Sequence, residues 1–163
     1  MEEVGVGLLP GAARVSTPAA ALPLVLVAED GDEYTARFSR LLGHAFRFQR
    51  AGSLAEVRAA LAADEARVLM LDLDFRRTPP AHLVDERGEP APPAASARLA
   101  SVQGILILRA LRRDGARVPA LLCADLDDPE QEARLVQELS PLEISPSSEG
   151  LPELANRLRR LLA

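Results

Sequence analysis

The feature that most constrains this chain is a repeated alternation of short apolar runs with amphipathic stretches, from Leu24 onward. Leu24–Ala28 (LVLVA) is apolar throughout, as expected of a parallel strand buried on both faces. Arg67–Leu73 (RVLMLDL) and Val118–Ala124 repeat the pattern, with shorter strands predicted at Phe46–Arg50 and Leu142–Ser145. Between them lie helical signals. Asp32–Leu42 carries Phe38, Leu41 and Leu42 on one side and stops at Gly43. Ser53-Leu-Ala-Glu56 is a capping box that opens a helix to about Ala63. Val102–Arg113 is closed by Asp114-Gly115; Asp128-Pro129 caps a helix to Leu139; the last helix runs from Leu151 to Leu162. The order βαβαβ–loop–αβαβα predicts an α/β fold: a five-stranded parallel sheet with helices on both faces and right-handed crossovers.

Two stretches stand outside this rhythm. Residues 1–22 are rich in Gly, Ala and Pro without a period, and are expected to form a disordered tail ahead of a single domain at 23–163. Residues 76–101 hold Pro79, Pro80, Pro90, Pro92 and Pro93, and are expected to be an inserted loop, mobile and dispensable for folding. The apolar run Ala19–Ala28 is too short to span a bilayer, and no basic segment precedes it as in a signal peptide.

Composition removes several function classes. All 19 basic residues are Arg, so chemistry that needs a lysine ammonium is excluded, and the bias suggests a G+C-rich bacterial genome. A net charge of −5 and the absence of Trp speak against nucleic-acid binding, which needs a basic face or stacking platforms. One cysteine, Cys123, forms no internal disulfide and fits a reducing cytoplasm.

In an open parallel sheet, ligands sit at the carboxyl ends of the strands. The first strand is followed by Glu29-Asp30, the third ends in Asp72-Leu73-Asp74, the fourth in Cys123-Ala124-Asp125 and the fifth in Ser145-Pro146. Glu29, Asp30 and Asp72 converge if the first and third strands are neighbours. Carboxylates so placed raise one another's pKa, and a hard cation such as Mg²⁺ relieves the repulsion. Such a cation also draws phosphate oxygens, which opens Asp72 to phosphorylation as a nucleophile.

VLVAED (residues 25–30), VLMLD (68–72), QGILILRALRRDGARVPALLCA (103–124) and ISP (144–146) resemble the response-regulator receiver domain of bacterial two-component systems. The resemblance implies a flavodoxin-like (βα)5 fold and a stand-alone, cytoplasmic module of phosphorelay signalling rather than an enzyme. It implies Mg²⁺ held by Glu29, Asp30, Asp72 and the backbone carbonyl of Asp74, with Asp72 as phosphoacceptor. It implies a sensor histidine kinase or another protein as partner, with no nucleic acid and no membrane. The fourth and fifth predicted helices (Asp128–Leu139 and Leu151–Leu162) are the candidate homodimer contact.

The departures mark an atypical, degenerate member. The family's Ser/Thr after the fourth strand falls on Cys123, its Lys on Ser145 and its aromatic switch residue on Leu142. Arg76 and Arg77 replace the usual Met-Pro after the phosphoacceptor, and both are expected to be solvated. Two other readings remain: a pseudo-receiver that acts by protein–protein binding without phosphorylation, and a haloacid-dehalogenase-like phosphatase with Asp72 and Asp74 as its acid pair.

Overall fold

The computed structural model describes residues 21–163; most of the expected tail lies outside them. Its five strands are β1 (Leu24–Ala28), β2 (Arg47–Ala51), β3 (Ala66–Asp72), β4 (Ala120–Cys123) and β5 (Leu142–Ser145). They form one parallel sheet in the order β2-β1-β3-β4-β5. The helices are α1 (Glu33–Leu42), α2 (Leu54–Ala62), a short α3 (Ser96–Ala100), α4 (Gln103–Arg113), α5 (Pro129–Glu138) and α6 (Leu151–Leu162).

The central strands are apolar throughout because both of their faces are covered. Val25, Val27, Val68, Met70 and Leu121 pack with Phe38 and Leu42 of α1 and Leu154, Ala155 and Leu158 of α6. Leu26, Leu69, Leu71 and Leu122 face the other way, against α2, α4 and Leu135 of α5. The predicted caps form: Ser53 Oγ accepts the Glu56 N–H at 3.2 Å, and the Asp128 carboxylate accepts that of Glu130 at 2.9 Å. Leu41, expected on the apolar side of α1, is instead 38% exposed, and Phe38 and Leu42 carry the burial.

The proline-rich stretch has structure that no sequence period announces. It contains 3₁₀ turns at Pro80–His82 and Pro93–Ala95, then α3. Each piece is three to five residues long, too short for a helical period to show. Phe75, Leu83 and Ala100 are buried in the main core, and Leu99 is buried too. The buried Gln103 ties the segment to the start of α4. Its Oε1 accepts the Val84 N–H at 2.9 Å, and its Nε2 donates to the carbonyls of Val84 at 3.1 Å and Leu99 at 3.3 Å.

At the other end of the sheet, Arg112 of α4 donates to four backbone carbonyls. Val118 accepts at 2.8 Å, Leu139 and Pro141 at 2.9 Å and Ala116 at 3.0 Å. These carbonyls belong to the segments that lead into β4 and β5. Burial pulls the Arg112 pKa down from its ordinary value.

Candidate functional site

β1 and β3 are neighbours, so the expected acids collect at one end of the sheet. Asp72 ends β3 and is paired in register with Cys123 of β4, which is paired with Ser145 of β5. The three residues form one row across the sheet. Asp72 is half-buried, and its Oδ1 accepts its neighbour Leu73 N–H at 2.8 Å. Burial pushes its pKa up to about 6, with Asp30, Asp74 and Glu29 adding to the rise against the Leu73 hydrogen bond. The thiol of Cys123 is pushed up to about 12 by burial, then by Asp72 and Glu149, which leaves it a poor donor and a poor nucleophile.

The other acids already have partners. Glu29 is 1% exposed, and its carboxylate caps α1. Oε1 accepts the Tyr34 N–H at 3.1 Å; Oε2 accepts the Thr35 N–H at 2.8 Å and the Thr35 hydroxyl at 2.7 Å. This explains why Asp32, at the N-cap position, makes no side-chain cap bond. Asp30 accepts from Arg77: the backbone N–H and Nε reach Oδ2 at 2.9 and 3.3 Å, and Nη2 reaches Oδ1 at 3.1 Å. The Asp74 carboxylate accepts the Arg76 backbone N–H at 2.9 Å and pairs with its guanidinium. Arg76 is largely exposed, as expected, but Arg77 is not simply solvated. Among the described residues, no group of three or more acidic, histidine or cysteine side chains is arranged to hold a metal ion. Among the described residues, Asp72 Oδ2 is the only oxygen of the Glu29, Asp30 and Asp72 carboxylates that accepts no hydrogen bond, and one free oxygen does not fit Mg²⁺ as the site is arranged.

The row's far end is also internally satisfied. Ser145 is buried, and its hydroxyl donates to Glu149 Oε2 at 2.6 Å. Glu149 is gripped by Arg157, whose Nε and Nη2 donate to it at 2.8 Å. Arg157 also pairs with Glu143 at 3.0 Å. Leu142 lies buried at the start of β5, at the opposite end of that strand from Ser145. Sequence reasoning missed Thr35, Gln103 and Glu149. It named Arg77 but expected it to be solvated, because its target, 47 residues away, gave no signal.

An expected result follows for pH. A carboxylic acid with a raised pKa lets the folded state hold more protons than the unfolded one. Stability then falls as pH rises from about 4 to about 6 and stays low above. The rise would be worth roughly 3 kcal/mol for a fully buried group. With water reaching about half of the side chain, it is on the order of 1–2 kcal/mol. Asp72→Asn, measured in chelator, is expected to raise Tm at pH 7 and leave it unchanged near pH 4. Equal effects at the two pH values would show that Asp72 is not raised.

No family model matches the chain, and no curated protein matches it either. Solved structures do. The Francisella response regulator 1452 receiver domain is 17% identical, with a TM-score of 0.63, over 86% of this chain and 96% of its own. The receiver domain of a signal transduction histidine kinase from Syntrophus aciditrophicus is 15% identical, with a TM-score of 0.59, over 86% and 89%. The beryllofluoride-activated N-terminal receiver domain of Klebsiella pneumoniae RstA is 16% identical, with a TM-score of 0.58, over 85% and 97%. The chain thus has the flavodoxin-like receiver-domain fold. No single helix among the described residues is long and apolar enough to cross a membrane.

Proposed function

We propose that this chain is a signalling module of the receiver type, with Asp72 as the phosphoacceptor and a protein as its partner. The supporting observation is the setting of Asp72. It sits half-buried at the carboxyl end of central β3, and among the described residues its Oδ2 accepts no hydrogen bond. With acetyl phosphate as donor, an Asp72 oxygen forms the new O–P bond. The donor's P–O bond breaks, and acetate leaves with the electron pair. Ionised Asp72 is the nucleophile, so transfer is favoured above pH 6, where the proton is gone. The backbone pairing within the row gives the modification a route outward, from Asp72 through Cys123 to Ser145 and the Glu149–Arg157 pair. The α5–α6 side is the proposed partner or homodimer face.

A second reading, a binding module that works without phosphorylation, is favoured by one observation. The position where the family places a lysine holds Ser145, already bonded to Glu149. Among the described residues, no cation is hydrogen-bonded to Asp72. A phosphatase of the haloacid-dehalogenase type is disfavoured, because the Asp74 carboxylate is engaged by Arg76 rather than left as an acid beside Asp72.

Intact-mass spectrometry after incubation with acetyl phosphate tests the proposal. The expected result is slow gain of one phosphoryl group, removed by hydroxylamine and absent from Asp72→Asn. No gain, together with no beryllofluoride-induced change in the amide spectrum, would leave the binding module. Turnover of p-nitrophenyl phosphate would revive the phosphatase.

A further inference from the structure

The acid crevice contains a cation supplied by the chain itself. Arg77 follows the buried Phe75 by two residues, and the fold of the proline-rich segment delivers it to the end of β1. Its backbone N–H and Nε share Asp30 Oδ2, and its Nη2 takes Oδ1, so both carboxylate oxygens are occupied. The guanidinium also pairs with both oxygens of Glu33, Nη2 reaching Oε2 at 2.8 Å. Gly31 leaves the room in which these side chains meet, since a Cβ there would collide with the ends of Glu33 and Arg77. The Asp30 side chain is only 6% exposed, whereas Arg77 is 59% exposed. The pair is therefore buried on the acid's side and wet on the arginine's.

An exposed pair of this kind is ordinarily weak. Three features strengthen this one: a fork that matches carboxylate geometry, a backbone N–H fixed on the same acid, and burial of that acid. With Glu29 committed to α1, a divalent ion at the crevice finds only Asp72 Oδ2 unengaged and needs those same Asp30 oxygens to complete a second ligand. We infer that Arg77 is the crevice's resident cation and competes with any divalent ion for Asp30. A divalent ion binds there only by displacing it. The inference holds whether or not Asp72 accepts phosphate.

The test titrates full-length protein with MgCl₂ and MnCl₂, read by Tm and by the amide resonances of Asp30, Gly31 and Asp72. Wild type is expected to show no saturable response at low millimolar metal. Arg77→Gln is expected to gain one, with a metal-dependent rise in Tm by mass action and affinity improved by about tenfold or more. Adding Asp30→Asn to that variant should abolish the gain. Glu33→Gln, which removes one anchor of Arg77, should give a smaller gain, and it decides the matter by the same readings if Arg77→Gln does not fold. Equal metal affinity in wild type and variants overturns the inference. So does the absence of any metal response in all of them, since Arg77 would then not be what excludes the ion.

Discussion

Phe75→Ala is expected to cost about 3–5 kcal/mol, the usual loss for a fully buried phenylalanine. Phe75 is completely buried, and its N–H donates to the Ala100 carbonyl at 2.8 Å, so both ends of the proline-rich segment meet at it. Truncation leaves a cavity that Leu83 and Ala100, in the same core cluster, can fill only by moving the segment. A domain of this size is stabilised by roughly 5–15 kcal/mol, so the loss is a large share of the total. Urea denaturation should show a lower midpoint with an unchanged slope. A loss below about 1 kcal/mol would mean that the segment is an appendage, as its prolines suggest, and not part of the core.

Gly104→Ala is the second large effect. In an ordinary helix, alanine is better than glycine by about 1 kcal/mol. Here the sign reverses. The Gly104 N–H donates to the Leu73 carbonyl at 3.0 Å, holding the start of α4 against the end of β3. A Cβ at this position would lie deep inside van der Waals contact with the Asp72 carbonyl oxygen, and 3.0 Å from its carbon. The obstacle is strand backbone, which cannot rotate away as a side chain would. Overpacking of this kind costs roughly 1–3 kcal/mol and shifts the backbone. The substitution should therefore lower Tm and move the amide resonances of Asp72 and Cys123. A rise in Tm would show that α4 has room at its first turn.

Most of the architecture could be read from the residues, because its cause is local. Wholly apolar runs such as LVLVA and VLML are what two-face burial requires, and Ser53, Asp128 and Pro129 announce helix starts through their own chemistry. Strand ends moved by a residue or two: β2 is Arg47–Ala51 rather than Phe46–Arg50, and β4 is Ala120–Cys123 rather than Val118–Ala124. Neither alters the register. The gathering of Glu29, Asp30 and Asp72 followed from strand order alone. What each acid bonds to did not. Glu29 meets Thr35 because α1 turns back over β1, and Asp30 meets Arg77 because Phe75 is anchored in the core. Both depend on tertiary placement, which no spacing in the chain encodes. Proline density likewise concealed Gln103, whose amide does for Val84 what a strand partner would do.

Arg112 braces β4 and β5 against each other where they begin. One guanidinium grips the entries to both β4 and β5, through bonds strengthened by its charge. Sliding or parting the two strands at that end would strand several carbonyls at once, whereas at the other end Asp72, Cys123 and Ser145 are joined across the sheet by backbone pairing. β4 and β5 are therefore clamped at both ends, by Arg112 where they begin and, just past where they end, by Asp125, whose Oδ1 accepts the Ser147 N–H at 2.9 Å.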